Sequence, residues 1–175
     1  MFVYTSDMAA GTIVSLQEYL QTSYRPDCDY VDGVLVGRNV GEIQHSRWQG
    51  EIYATLRAQG KKLGLTPFVE LRVRISDTRY RVPDVCMIEG SGPDRGPLTS
   101  PPFLCVEVLS PEDRFSTMHE RIHDYLGLGV PFVWIVDPLK RQGWICTPDS
   151  MVEAPDGILR TTNPSITITI AELDD

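Results

Sequence analysis

Asp84 and Glu107 each interrupt a stretch that otherwise reads as buried, Arg81-Val-Pro-Asp-Val-Cys-Met-Ile88 and Phe103-Leu-Cys-Val-Glu-Val-Leu109. A carboxylate in such a place is costly unless it is paired, hydrogen-bonded or bound to a cation. If the two strands are neighbours, both carboxylates can converge on one divalent ion, because Mg²⁺ and Mn²⁺ prefer hard oxygen donors. An ion held there can polarise a phosphate and generate hydroxide from water. The other reading pairs each carboxylate with an arginine (Arg81, Arg114 or Arg121) and gives it a structural role in the sheet. Residue types alone leave both readings open.

Two further patterns could do chemistry. His119-Glu-Arg-Ile-His123 satisfies His-Glu-x-x-His on a predicted helix, a zinc-binding spacing with Glu120 as general base. No histidine follows in the remaining 52 residues. The same stretch also reads as the polar flank of an amphipathic helix beside Met118, Ile122 and Tyr125, and this is the preferred reading. Arg72, Arg74, Arg79 and Arg81 form a local basic strip next to the two carboxylates. They can contact a DNA backbone, or they can be a solvated strand face balanced by nearby acids. Trp48, Trp134 and Trp144 read as packing residues, and no aromatic platform for stacking bases stands out.

The elements that must position these residues follow from periodicity. Ser15 and Glu18 have capping-box spacing, which predicts a short helix from about Leu16 to Thr22. Tyr30 to Val36 carries Asp32-Gly33 between extended apolar residues and reads as a hairpin. A longer helix is expected from Ile43 to Lys62, where His45, Trp48, Ile52, Leu56 and Gln59 recur at helical steps. Leu71 to Ile75 alternates as a half-buried strand with Arg72 and Arg74 on its exposed face. The two stretches holding Asp84 and Glu107 are apolar on both faces, as central strands are. A helix from Thr117 to Leu128, strands at Phe132–Val136 and Trp144–Cys146, and an edge strand at Ile166–Ile170 complete the order. This predicts an α/β (mixed α+β) fold, a central mixed sheet flanked by helices, in one domain spanning 1–175 with loose ends at 1–11 and 174–175.

Charge narrows the classes of partner. The chain has 16 basic and 24 acidic residues, a formal balance of −8, so any nucleic-acid contact must be local. Lysine occurs only at Lys61, Lys62 and Lys140. Cys28, Cys86, Cys105 and Cys146 lie far apart without Cys-x-x-Cys spacing, which suggests neither disulfides nor a zinc cluster. No basic region precedes an apolar stretch near Met1, and runs such as Val130 to Val136 are too short to span a bilayer. The expectation is a cytoplasmic protein with no membrane partner.

The wording of the chain resembles the Uma branch of the PD-(D/E)XK nuclease superfamily, a restriction-endonuclease-like fold. The resemblance is carried by Arg81-Val-Pro-Asp-Val85, Val106-Glu-Val-Leu-Ser-Pro-Glu-Asp-Arg114 and Gly129-Val-Pro-Phe-Val-Trp-Ile-Val-Asp137. Asp29-Tyr-Val-Asp-Gly33 looks like the family's Glu-Leu-Ile-Asp-Gly segment, His45 stands at its helix-opening histidine, and Ala171-Glu-Leu173 resembles its ending. Roughly Leu16 to Leu173 is covered. The resemblance implies a Mg²⁺- or Mn²⁺-dependent endonuclease hydrolysing phosphodiester bonds of DNA. Asp84, Glu107 and the carbonyl of Val108 would hold metal, Asp29 would support it, and His45 would contact a phosphate or the metal shell.

The superfamily lysine lies two residues after the second acid, where this chain has Leu109. Relatives carry it instead on the following helix, at the position of Arg121. Arginine stabilises developing phosphorane charge, but its pKa above about 12 makes it a poor general base. The alternative implied is a catalytically weakened nuclease-fold domain acting in nucleic-acid binding or protein interaction. A homodimer is expected from the symmetry of cutting two strands.

Overall fold

The computed structural model describes residues 2–4, 11–38, 43–154 and 156–174. The first half of the chain builds a small sheet from local signals. Ser15 caps α1 (Leu16–Gln21) by accepting from the Glu18 N–H at 3.1 Å. Strands β1 (Phe2–Tyr4) and β2 (Ser23–Arg25) pair in parallel, so part of the expected loose amino-terminal end is strand. Residues 1, 5–10 and 175 of the expected loose ends lie outside the described residues. The hairpin forms as β3 (Asp29–Val31) and β4 (Val34–Val36), its turn made by Asp32 at φ 50° and Gly33 at φ 93°. Two left-handed residues match the twist of a two-residue hairpin, which is why Asp-Gly signals one.

After α2 (Ile43–Gly60) come β5 (Leu65–Val69), β6 (Val73–Ser76), β7 (Arg79–Arg81), β8 (Val85–Glu89) and β9 (Leu104–Val108). Then follow α3 (Phe115–Leu128), β10 (Phe132–Asp137), β11 (Gln142–Thr147) and β12 (Ser150–Glu153). The tail adds β13 (Ile158–Arg160), β14 (Thr167–Thr169) and a 3-10 helix at Ile170–Asp174. The principal sheet runs β12-β11-β10-β9-β8-β5, antiparallel throughout except for the parallel pair β9 and β10 joined through α3. A second sheet runs β4-β3-β7-β6.

Alternation sorts the principal sheet into two faces. Val85, Met87, Leu104, Val106, Val108 and Trp134 pack on one side with Trp48, Ile52 and Leu56 of α2. Cys86, Cys105, Val133 and Ile135 pack on the other with Met118, Ile122 and Tyr125 of α3. The two-position step therefore places Asp84 and Glu107 on the α3 face. Helices on both faces are what a strand apolar on both sides requires.

Two sequence expectations need correction. Arg81 to Ile88 is not one strand: Arg81 ends β7 in the second sheet, and Val82-Pro83-Asp84 crosses to β8 in the first. Pro83 has no N–H for a ladder and restricts Val82, so pairing breaks there. The strand expected from Leu71 begins at Val73, leaving Arg72 outside it. Leu173, just before the expected loose end at 174–175, is 1% exposed within the α2 core. All four cysteines are free and buried. Among the described residues no helix is long and apolar enough to cross a membrane.

Candidate active site

Strands β8 and β9 pair with Val85 opposite Val106, so the next step of the antiparallel register sets Asp84 opposite Glu107. Both carboxylates line a cavity of about 290 Å³ that also receives Arg38, His45, Arg121 and Ser110. None of the three lysines lines it. Asp84 is 2% and Glu107 is 1% exposed, and each is held by a defined set of donors.

The Asp84 Oδ2 accepts from the Val108 N–H at 2.7 Å and faces His45 Nε2 at 3.4 Å, while Oδ1 is engaged by Arg38 Nη2. Gln49 of α2 donates to the Asp84 carbonyl at 2.9 Å and steadies the crossing segment. Burial would raise the Asp84 carboxyl, but the Arg38 charge, His45 and the Val108 N–H outweigh it and hold it at about 2. Glu107 Oε2 accepts from Arg121 Nη1 at 2.7 Å and Oε1 from the Tyr125 hydroxyl at 2.6 Å. Here burial prevails, with the nearby Asp84 charge adding to it, and the Glu107 carboxyl is raised despite Arg121. Opposed shifts on facing carboxylates separate an anionic Asp84 from a Glu107 that holds a proton more readily. His45 is raised, since the bond and charge of Asp84 override the burial that would lower it. Its Nδ1 is buried without a hydrogen-bond partner.

Asp29 lies behind this pair and does not line the cavity. It is fully buried, accepting from the Val82 N–H at 2.9 Å and pairing with Arg81 Nη1 at 3.0 Å and Arg121 Nη2 at 2.9 Å. Arg121 thus bridges Glu107 and Asp29, and Asp29 positions Arg121 instead of joining the other two carboxylates.

The expected basic strip is divided. Arg81 is 1% exposed, bound to Asp29, Asp124 and Glu120, so it is turned away from any phosphate. Arg72 binds Asp27 at 2.6 and 2.8 Å, donates to the carbonyls of Tyr19 and Thr22, and lies 4.2 Å over the Tyr19 ring. Its place is a tyrosine-rich core under α1. Arg74 is half-buried beside Asp77, and His45 alone of the four expected nucleic-acid contacts lines the cavity. In the His-Glu-x-x-His segment both histidines are exposed, and Glu120 reaches Arg81 at 3.0 Å, so its polar face serves ion pairs.

Sequence reasoning missed two site residues. Tyr125 follows Arg121 by one helical turn, a spacing that puts both on the Glu107 side of α3 and could have revealed it. Arg38 sits in irregular chain just past β4 and carried no signal.

Among the described residues no three His, Cys, Asp or Glu side chains assemble as a metal cluster. Two facing carboxylates on one cavity nevertheless fit a hard cation that keeps several waters, as Mg²⁺ does. Each carboxylate oxygen has two lone pairs, so Glu107 retains acceptor capacity beyond Arg121 and Tyr125. At Asp84 the Arg38 charge against Oδ1 opposes a cation there.

This architecture is shared with a crystal structure of a putative nuclease belonging to DUF820 from Anabaena variabilis ATCC 29413. The TM-score is 0.75 at 20% identity, covering 91% of this chain and 97% of that one. The likeness shows that the two chains share this mixed α/β fold. The sequence profile of the Uma2 family, described as "Putative restriction endonuclease", matches residues 16–169, and the chain belongs to that family. No curated protein matches it.

Proposed function

We propose that this protein is a divalent-metal-dependent nuclease that hydrolyses phosphodiester bonds of DNA. Family membership and fold support a nuclease function; the observation that carries the finer reading is the Asp84–Glu107 pair facing one cavity. Asp84 and Glu107, with the Val108 carbonyl as a further contact, would hold Mg²⁺ or Mn²⁺, which would supply Lewis-acid polarisation of the phosphate and acidify water. Arg121 keeps its charge at any working pH, orients Glu107 and stabilises negative charge in the cavity, in place of a lysine. Asp29 fixes Arg121 from behind. His45 on the cavity wall and the half-buried Arg74 are the basic residues of the expected set left to meet nucleic acid. A single domain, a cytoplasmic location and a homodimer that cuts two strands belong to the same reading.

The second reading is a nuclease-fold domain with weakened turnover that binds nucleic acid or another protein. It is favoured by the arginines that already neutralise both carboxylates. The test is cleavage of supercoiled plasmid and single-stranded DNA with Mn²⁺ by wild type, Asp84→Ala, Glu107→Ala and Arg121→Lys. Cutting by wild type that both alanine variants lose supports the first reading. Cutting by Arg121→Lys alone, or by none, gives the second reading the lead.

A further inference from the structure

Arg38 differs from the other arginines of the site in what carries it and in what it touches. Arg81 and Arg121 stand on β7 and α3, and each spans more than one carboxylate. Arg38 stands in irregular chain after Gly37 and, among the described residues, meets a single carboxylate, through Asp84 Oδ1. The opposite oxygen is fixed by the sheet backbone at Val108 and faced by His45 of α2. Among the described residues, one side of Asp84 is therefore held by the framework, and the other by a side chain from a connecting segment.

That guanidinium is a cation already in place. Its side chain is 9% exposed, and it lines the same cavity as Glu107 and Arg121. In such a setting charges interact far more strongly than in water, so a divalent ion and Arg38 cannot both sit against Asp84 without strong repulsion. Removing the arginine and leaving nothing would strand a buried carboxylate, which is the costly alternative. The two cations are thus alternatives for one position.

We propose that Arg38 is an exchangeable counter-ion of Asp84, filling the cation position in the metal-free protein and giving it up when a divalent cation binds. This rests on the metal-ligand role of Asp84 in the proposed function. The exchange lowers apparent metal affinity by the fraction of molecules in which Arg38 has moved away. It also keeps Asp84 neutralised until metal arrives.

The experiment is calorimetric titration of Mn²⁺, without nucleic acid, into wild type, Arg38→Gln and Asp84→Asn. The expected result is binding at least about tenfold tighter in Arg38→Gln than in wild type. A result in which only Arg38→Gln binds measurably also supports the exchange, and Asp84→Asn binds in neither case. Equal or weaker binding by Arg38→Gln, beside Asp84-dependent binding by wild type, overturns the exchange and leaves the metal site standing. No binding by either protein overturns both. Should Arg38→Gln fail to fold, NMR of the arginine side chains in wild type decides. Loss of a protected Arg38 guanidinium signal on adding Mg²⁺ supports the exchange, and an unchanged signal overturns it.

Discussion

Arg121 Nη1 stands 2.7 Å from Glu107 Oε2 and joins α3 to the central strand β9. Because its other terminal nitrogen reaches Asp29, removing the side chain leaves Glu107 with the Tyr125 hydroxyl but no paired cation, and takes one of two arginines from Asp29. Arg121→Ala is expected to cost about 3–5 kcal/mol, the range for breaking a buried pair from one side. Urea denaturation measures this. Arg121→Met combined with Glu107→Gln and Asp29→Asn should lose less than the sum of the single changes.

Metal binding at Asp84 and Glu107 should appear in stability before activity is measured. Mn²⁺ at about one hundred times its Kd is expected to stabilise wild type by about 2.7 kcal/mol. Asp84→Ala should show no such shift in thermal denaturation. An equal shift in the variant would place the ion elsewhere.

Arg72 separates a structural role from a nucleic-acid role. Its bonds to Asp27 and to the carbonyls of Tyr19 and Thr22 predict that Arg72→Ala loses about 1–3 kcal/mol of stability. DNA affinity, measured by filter binding at fixed salt on the folded variant, should stay within error of wild type.

Two glycines of α2 should respond in opposite directions. A Cβ on Gly60 would lie 2.6 Å from the Leu65 carbonyl oxygen and 2.7 Å from Met87 Cε, whereas one on Gly50 meets nothing within 4 Å. Gly60→Ala is expected to destabilise by about 1–3 kcal/mol through overpacking. Gly50→Ala should stabilise by roughly 0.5–1 kcal/mol through helix propensity. Chemical denaturation of both variants checks the sign.

The thiols supply the pH dependence. Burial pushes Cys28 and Cys86 up to about 12 and Cys146 to about 11. Since these folded values lie above the unfolded one, near 9, their contribution to stability is complete below about pH 9. It is lost as pH rises toward 12 for Cys28 and Cys86. Denaturation midpoints should fall over that interval, and less so in Cys86→Ala. At pH 8 a thiol reagent should label the folded protein far more slowly than the unfolded one.

Much of the scaffold was legible because it is local. The four-residue recurrence of Trp48, Ile52 and Leu56 marked the buried face of α2, and Asp32-Gly33 marked the hairpin turn. Apolar runs on both alternating faces marked β8 and β9 as central strands, and they singled out the acids they contained. Those patterns record the period of a helix or strand and the cost of burying charge, which each residue carries wherever the chain goes.

What the sequence alone determined, then, is that Asp84 and Glu107 need compensation. Only the tertiary structure decided what supplies it: Arg38 from 46 positions upstream for Asp84, and Arg121 and Tyr125 from 14 and 18 positions downstream for Glu107. It also turned Arg81 and Arg72 inward, although their neighbours made them look like an exposed strip. An arginine has a long side chain and meets any carboxylate within reach, so its partner is set by how sheets and helices pack, and no local periodicity encodes that choice.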